Sequence, residues 1–121
     1  MNKVLIVDDS LAQTRLIRSV LEQAGFQTVT SSDSREVEEI LAVERPQLIL
    51  LDVIMPGRNG FQVCRELKSS AEYARIPVVL VTSKTAESDR FWGEQQGADG
   101  YVTKPFTKEE LLEQVRKFVR N

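Results

Sequence analysis

The sequence predicts a doubly wound α/β fold in which five parallel strands alternate with five helices. The chain of 121 residues contains five short apolar runs, separated by longer segments with helical periodicity. The runs are continuously apolar rather than alternating, which is typical of strands covered on both faces of a sheet. With 41% hydrophobic residues the chain has enough apolar side chains for one core, so we expect a single domain over residues 1–121.

The predicted strands are apolar runs of two to five residues, too short for helices. The second and the fifth are the least hydrophobic. The runs lie at Val4–Val7, Phe26–Thr30, Leu48–Leu51, Val78–Val81 and Tyr101–Val102.

Capping signals predict where the helices begin and end. In a capping box a polar residue and a Glu or Gln three positions later each bond the other's backbone N–H. Gly25 stands at the expected end of the first helix, and Pro46 follows the second. The pairs that predict helix starts are Ser10 with Gln13, Asp33 with Glu36, and Thr107 with Glu110.

Between the strands, apolar residues recur at spacings of three and four. The third helix is predicted to begin near Gly60. The fourth, from about Ala86 to Gln96, has the weakest pattern because Gly93 lies inside it and its apolar stripe is thin. The helical residues that we expect to face the core are Leu16, Ile17, Val20, Leu21, Ala24, Val37, Ile40, Leu41, Phe61, Cys64, Leu67, Leu111, Leu112, Val115, Phe118 and Val119.

Composition excludes several classes of function. The formal net charge is −2 and no basic stretch stands out, which argues against a nucleic-acid partner. The chain has no histidine, which excludes histidine-based catalysis and histidine metal sites. Cys64 is the one cysteine, so it can form neither an internal disulfide nor a Cys-rich zinc site. An unpaired cysteine fits a reducing cytoplasm, and the run Val4–Val7 is too short for membrane insertion, so we expect a cytoplasmic protein.

Polar residues follow the predicted strands at the edge where the carboxyl ends of parallel strands meet. Ligands of open α/β sheets bind beyond these ends, where the strand order switches. We therefore expect one crevice that contains three carboxylates, hydroxyl groups and an ammonium group. The residues are Asp8 and Asp9 after the first strand, Asp52 after the third, Thr82 and Ser83 after the fourth, and Thr103, Lys104 and Pro105 after the fifth.

Three carboxylates in one crevice predict a divalent cation. Two carboxylates about 5 Å apart repel by roughly 3 kcal/mol at an effective dielectric near 20. An all-oxygen ligand set favours Mg²⁺ or Mn²⁺ over zinc or copper. A phosphoryl group can then lie between the metal and Lys104, with the Thr82 hydroxyl donating to another oxygen. Asp52 follows the most apolar strand and is the best candidate for a carboxylate nucleophile that forms an aspartyl-phosphate.

In their order and spacing, these motifs resemble the response-regulator receiver domains of the CheY-like type. The resemblance covers essentially the whole chain and implies a flavodoxin-like fold with strand order 2-1-3-4-5. Each motif is weak alone, and their joint occurrence makes the signal specific. The motifs are Asp8-Asp9, Asp52 followed by Met55-Pro56-Gly57, Thr82-Ser83, and Lys104-Pro105-Phe106.

The resemblance implies how the acidic residues divide their roles. Asp52 would be the phosphoacceptor. Asp9, Asp52 and the backbone carbonyl of Ile54 would bind Mg²⁺, and Asp8 would complete the acidic site largely through water. Because the chain has no histidine, the phosphoryl donor would be a separate histidine kinase or histidine phosphotransfer domain.

The resemblance also implies how phosphorylation is detected. Lys104, followed by a cis Lys104-Pro105 bond, would contact the phosphoryl group, Thr82 would move toward it, and the ring of Tyr101 would turn inward. These movements would change the face formed by the fourth helix, fifth strand and fifth helix, which would contact a downstream protein. The chain ends one helix after Lys104, so we expect no DNA-binding effector and an output through protein contact.

Further sequence features indicate the subgroup and the phosphoryl lifetime. Asp89-Arg90-Phe91-Trp92-Gly93 and Gly97-Ala98 are similar to receivers that control twitching or phototactic motility by type IV pili in chemotaxis-like systems. The two aromatic residues are either a patch for a partner or ordinary packing. Ile54 and Lys84 stand where fast self-dephosphorylating receivers have groups that orient water, which predicts slow self-hydrolysis.

Other functions fit the residues less well. We expect a signalling module that catalyses only its own Mg²⁺-dependent phosphorylation and slow dephosphorylation. A phosphohydrolase with an aspartyl nucleophile normally has an acid where this chain has Ile54. A flavin electron carrier is disfavoured because the first acidic pair would repel the FMN phosphate. An interaction module that works without phosphorylation is disfavoured by the intact set Asp9, Asp52, Thr82 and Lys104.

Overall fold

The computed structural model describes residues 2–120 and forms a five-stranded parallel sheet with helices on both faces. The strand order is β2-β1-β3-β4-β5, which confirms the predicted order and α/β class. The strands are β1 (Lys3–Val7), β2 (Gln27–Ser31), β3 (Leu48–Leu51), β4 (Val78–Thr82) and β5 (Gly100–Thr103). The helices are α1 (Leu11–Gln23), α2 (Val37–Glu44), α3 (Gly60–Lys68), α4 (Glu87–Gln95) and α5 (Lys108–Arg116), with a 3₁₀ turn at Ser34–Glu36.

The strand register brings the carboxyl ends of the strands to one edge of the sheet. Val7, the last residue of β1, lies opposite both Ser31 of β2 and Leu51 of β3. Thr82 at the end of β4 lies opposite Thr103 at the end of β5. The residues that follow these strand ends therefore lie along the same edge, as the polar motifs predict.

Two apolar clusters, one on each face of the sheet, form the core. Successive strand residues point to opposite faces, so both must be apolar when both faces are covered. This explains the continuous apolar runs. One cluster joins Val4 and Ile6 to helix residues Ile17, Leu21, Leu111 and Val115; the other joins Leu5 and Val7 to Val37, Leu41, Val63 and Leu67.

Four of the five strands differ from their predicted bounds by one residue at one or both ends, and one helical residue faces solvent rather than the core. Strand β2 begins at Gln27 rather than Phe26, although Phe26 is buried in the core. Leu16 is 48% exposed, whereas we expected it to face the core. The buried face of α1 is centred on Ile17 and Leu21, and Leu16 lies about 100° around the helix from Ile17.

The capping predictions differ in how well they hold. Thr107 and Glu110 form a complete capping box, and the Ser10 hydroxyl accepts the Gln13 N–H at 3.3 Å. Asp33 instead accepts the Arg35 N–H at 2.9 Å and caps the 3₁₀ turn, so α2 begins only at Val37. A further capping box, Asn59 with Gln62, begins α3 and was not predicted.

Cys64 is a buried core residue, as predicted. Its thiol donates to the carbonyl of Gln96 at 3.5 Å, and burial raises the pKa of the thiol to about 11. The thiol therefore stays protonated at neutral pH and behaves as a small apolar group. Among residues 2–120, none of the helices has the length and apolar character needed to cross a membrane.

Candidate functional site

Four charged residues converge at the carboxyl edge of the central strands, namely Asp8, Asp9, Asp52 and Lys104. Asp8 directly follows β1 and Asp52 directly follows β3, and these two strands are neighbours in register. The backbone N–H of Asp52 donates to the carbonyl of Val7 at 3.0 Å, which keeps the two chain segments together. Lys104 follows β5, and its N–H donates to the carbonyl of Thr82 at 2.8 Å.

The Lys104 ammonium lies between two buried carboxylates. Its Nζ is 2.7 Å from Oδ2 of Asp8 and 3.4 Å from Oδ2 of Asp52. The side chains of Asp8, Asp52 and Lys104 are 2%, 9% and 13% exposed. Removing one partner from a buried ion pair leaves an uncompensated charge, so these groups depend on one another.

Backbone N–H groups orient both carboxylates. The N–H of Ser10 donates to Oδ1 of Asp8 at 2.9 Å, and the N–H of Ile54 donates to Oδ1 of Asp52 at 3.2 Å. The second oxygen of each carboxylate is the one that faces Lys104. Two hydrogen-bonding directions per carboxylate restrict its rotation, and the site is therefore organised before any ligand binds.

A third carboxylate gives this site an excess of negative charge. Asp8, Asp9 and Asp52 each offer an oxygen, and these oxygens lie within 4.8 Å of one another. Asp9 is exposed to solvent. One lysine cannot neutralise three carboxylates, and a compact set of oxygen ligands matches the preferences of Mg²⁺. The donor set therefore fits this ion.

Thr82 and Tyr101 are linked through the segment that follows β4. Thr82 is fully buried, and its Oγ1 accepts the N–H of Lys84 at 3.4 Å. The Tyr101 hydroxyl donates to the carbonyl of Lys84 at 2.6 Å. Burial and the nearby Asp89 carboxylate raise the pKa of Tyr101, so its hydroxyl stays protonated and can donate. A displacement of this segment would therefore reach both side chains.

The space for the Tyr101 ring depends on Gly93 in α4. A Cβ on Gly93 would lie 3.4 Å from the ring and 3.0 Å from Leu80. The Tyr101 ring also contacts Arg90, whose guanidinium carbon lies over the ring at 5.1 Å from its centroid, within the range of a cation–π interaction. The glycine that weakened the prediction of α4 thus has a packing role.

Some of the predicted site residues lie in direct proximity, and others are connected to them only through neighbouring strands. Asp8, Asp9, Asp52 and Lys104 lie together. Thr82 and Tyr101 are connected to them through β4 and β5. The Ile54 side chain is 54% exposed beside the site, and the Lys104-Pro105 peptide is cis, as the resemblance implies.

The contacts of Gly60 and Arg58 were not predicted from the sequence. Gly60, the first residue of α3, lies so close to Asp52 that a Cβ would meet the Asp52 carbonyl oxygen at 2.2 Å. Arg58 forms ion pairs with Glu38 and Glu66. No sequence signal linked Arg58 to a glutamate 20 positions earlier.

Comparison with known proteins gives consistent matches over the whole length. The response regulator receiver domain family matches residues 4–116. Protein PilH of Pseudomonas aeruginosa is 40% identical over 115 residues, which are 95% of each chain. The probable transcriptional regulator ycf27 of Cyanophora paradoxa is 37% identical over 98% of this chain, which spans 48% of that protein.

The structure is similar to that of a chemotaxis protein. CheY4 of Vibrio cholerae superposes with a TM-score of 0.90 and 31% identity, over 98% of this chain and 99% of that one. Sequence and structure thus match the same family over nearly all of the chain, including the strand ends that carry the acidic residues. This chain belongs to the response regulator receiver domain family, whose members are signalling modules of two-component systems.

Proposed function

We propose that this protein accepts a phosphoryl group on Asp52 from a separate histidine kinase or histidine phosphotransfer domain. The observation that carries the proposal is the placement of Lys104 Nζ at 2.7 Å from Asp8 and 3.4 Å from Asp52, beside a third carboxylate. We also propose that residues 1–121 act as one domain in the cytoplasm. The absence of histidine from the chain is consistent with a donor in another protein.

Asp52 is the nucleophile in this proposal. Its carboxylate oxygen forms a bond to phosphorus while the bond from phosphorus to the donor imidazole nitrogen breaks. The electron pair of that bond stays on the nitrogen, and the imidazole, which carries a proton on its other ring nitrogen, leaves as a neutral group. The N–H of Ile54 holds the other carboxylate oxygen, so that the attacking oxygen keeps its direction. Lys104 already lies beside Oδ2 and can contact an oxygen of the transferred group.

Asp9, Asp52 and the backbone carbonyl of Ile54 would hold Mg²⁺, and Asp8 would contribute largely through water. When bound, the ion would neutralise charge on the phosphoryl oxygens. Asp8 is less free than Asp52 to bind the metal directly, because Lys104 Nζ lies closer to Asp8, at 2.7 Å, than to Asp52, at 3.4 Å, and Asp8 is the more deeply buried of the two. Asp9 is exposed and lies within the same oxygen cluster, which supports its assignment as a direct ligand.

We expect Mg²⁺ to raise the melting temperature of the wild type by several degrees and that of Asp9→Ala by much less. A ligand that binds only the folded state stabilises it by about 2.7 kcal/mol at 100 times its Kd. Thermal melts at increasing MgCl₂, at constant ionic strength, measure the difference. Asp33→Ala removes a carboxylate outside the site and should respond like the wild type. Equal shifts in Asp9→Ala and wild type would remove Asp9 from the metal site.

We propose that phosphorylation is transmitted to the face formed by α4, β5 and α5, which contacts a downstream protein. Thr82 and Tyr101 bond the same residue, Lys84, so movement of Thr82 toward the phosphoryl group would displace the partner of Tyr101. Phe91 and Trp92 on α4 are 60% and 51% exposed, which favours the interpretation as a patch for a partner. The similarity to PilH supports a role in pilus motility.

We expect the phosphorylated protein to lose its phosphoryl group slowly. The exposed Ile54 side chain has no polar atom, and the Lys84 ammonium lies 3.7 Å from Asp89 and offers no acceptor. Neither group can orient an attacking water. Phosphoprotein freed of donor should retain the group over minutes, as followed by intact mass, and Ile54→Asn should shorten the lifetime. Decay of the wild type within seconds would contradict this prediction.

The proposal is tested with phosphoramidate, a small donor with the same phosphorus–nitrogen bond as phosphohistidine. With Mg²⁺ the protein should gain the mass of one phosphoryl group, and with EDTA in place of Mg²⁺ it should gain little. Steady hydrolysis of small phosphate esters would instead indicate a phosphohydrolase. Failure to gain any phosphoryl group from phosphoramidate or from acetyl phosphate would indicate an interaction module and overturn the proposal.

A further inference from the structure

The loop of residues 52–59, between β3 and α3, carries two of the proposed magnesium ligands, Asp52 and the carbonyl of Ile54. It is held near the sheet by the N–H of Gly60, which donates to the carbonyl of Val53 at 2.9 Å, and by the buried side chains of Val53 and Met55. The Ile54 side chain is exposed and gives no such anchorage.

Arg58 ties the outer part of this loop to α2 and α3. Its Nη2 and Nη1 lie 2.7 and 2.8 Å from the two carboxylate oxygens of Glu38, a bidentate pair. Nη1 also lies 2.5 Å from Oε1 of Glu66, and Nη2 donates to the carbonyl of Ser34. The Arg58 side chain is only 22% exposed. One guanidinium thus connects the loop to three segments of the chain.

A further hydrogen bond joins the loop of residues 52–59 to the 3₁₀ turn that contains Ser34. The hydroxyl of Ser34, a fully buried residue, donates to the carbonyl of Pro56 at 3.4 Å. Ser34 therefore contacts the loop twice, through its side chain and through its carbonyl. Because Pro56 and Arg58 both lie just beyond Ile54, these bonds limit how far the outer half of the loop can move.

We propose that Arg58 is a positioning residue for the metal site, which raises Mg²⁺ affinity by holding the loop that carries the Ile54 carbonyl. The inference rests on the function proposed above, since it requires Mg²⁺ to bind at Asp9, Asp52 and Ile54. Mg²⁺ demands near-ideal octahedral geometry, so a ligand on a loosely held loop must be ordered when the ion binds. Supporting contacts around a metal site tune its affinity in this way.

An arginine suits this role better than a lysine. Its planar fork presents several N–H donors in fixed directions, which here reach Glu38, Glu66 and the Ser34 carbonyl at once. The Arg58 guanidinium keeps the pKa of the Glu38 carboxyl below its usual range, so the pair remains ionised at neutral pH. A lysine would keep the positive charge but would lose the bidentate geometry.

The inference is tested by titrating Mg²⁺ into the unphosphorylated protein in a calorimeter. We expect Arg58→Ala to raise the Kd for Mg²⁺ roughly three- to tenfold. Residues that directly support a metal ligand typically change the affinity about 10–100-fold, and Arg58 acts on the loop rather than on a ligand itself. Arg58→Lys should lie between Arg58→Ala and the wild type. Glu38→Gln should weaken Mg²⁺ binding in the same direction, because it removes the carboxylate that holds the guanidinium.

Arg35→Ala is the matched control. Arg35 lies in the 3₁₀ turn, and its ion pair with Asp33, at 2.9 Å, does not involve the loop. The Arg35→Ala variant should bind Mg²⁺ like the wild type. If Arg58→Ala lowers the melting temperature of the metal-free protein but leaves the Kd for Mg²⁺ unchanged, the role of Arg58 is merely structural. This result would overturn the present inference and leave the proposed metal site intact. Absence of Mg²⁺ binding by the wild type would overturn the metal site and this inference together.

Discussion

Asp52→Asn should abolish phosphoryl incorporation from phosphoramidate and Mg²⁺, whereas the wild type gains one phosphoryl group. The substitution keeps the shape of the side chain and one oxygen. In the wild type the Ile54 N–H donates to Oδ1 at 3.2 Å, and the amide oxygen of asparagine can accept the same bond. It removes the anionic oxygen that would attack phosphorus, and a neutral amide is a far weaker nucleophile. Intact mass after a fixed incubation measures the loss.

The same variant should remain folded. Asp52→Asn removes one of three carboxylates whose oxygens lie within 4.8 Å, and Lys104 keeps its closer partner Asp8 at 2.7 Å. Repulsion falls while the lysine stays paired, so the metal-free protein should melt at a higher temperature than the wild type. Asp33→Asn, which changes a carboxylate outside the site, should be phosphorylated normally. Incorporation by a folded Asp52→Asn variant would place the phosphoryl group elsewhere and refute the assignment of Asp52.

Gly60→Ala should destabilise the protein severely. A Cβ at this position would lie 2.2 Å from the carbonyl oxygen of Asp52 and 2.7 Å from the Cα of Val53. Both are backbone atoms in the segment that leads from β3 into the acidic site, so neither can move without disturbing the site. We expect a loss of about 3 kcal/mol, at the upper end of typical overpacking costs. Urea unfolding followed by circular dichroism measures this change.

Gly100→Ala provides the comparison. Its added Cβ would meet side-chain atoms, Oε1 of Gln114 at 2.9 Å and Cγ2 of Val79 at 3.2 Å. The end of a glutamine can rotate away, so the free energy of unfolding should fall much less than in Gly60→Ala. Equal losses in the two variants would show that the close approach of α3 to Asp52 is not what requires glycine at position 60.

The fold was predictable because its strongest signal is local. Continuous apolar runs alternating with helical segments leave few arrangements other than a parallel sheet covered on both faces. The site followed from the fold, since strand ends in such a sheet share one edge. The convergence of Asp8, Asp9, Asp52 and Lys104 needed no knowledge of individual contacts.

Two of the wrong details, at Leu16 and Asp33, arise where the local pattern does not decide the outcome. Leu16 is apolar and is correctly spaced from Val20, yet the packing direction of α1 leaves it 48% exposed. Asp33 is a good capping residue, but a 3₁₀ turn comes between it and the first residue of α2. Periodicity identifies a helical face only to within a residue on either side, and tertiary packing decides which residues are covered.

The sequence by itself determined the class of fold, the strand order through its family resemblance, and the group of acidic residues with one lysine. Only the tertiary structure revealed that Arg58 joins Glu38, that Gly60 touches the backbone of Asp52, and that Thr82 and Tyr101 share Lys84. The physical reason is distance along the chain. Motifs and periodicity report neighbours in sequence, whereas these contacts join side chains and backbone that only folding brings together.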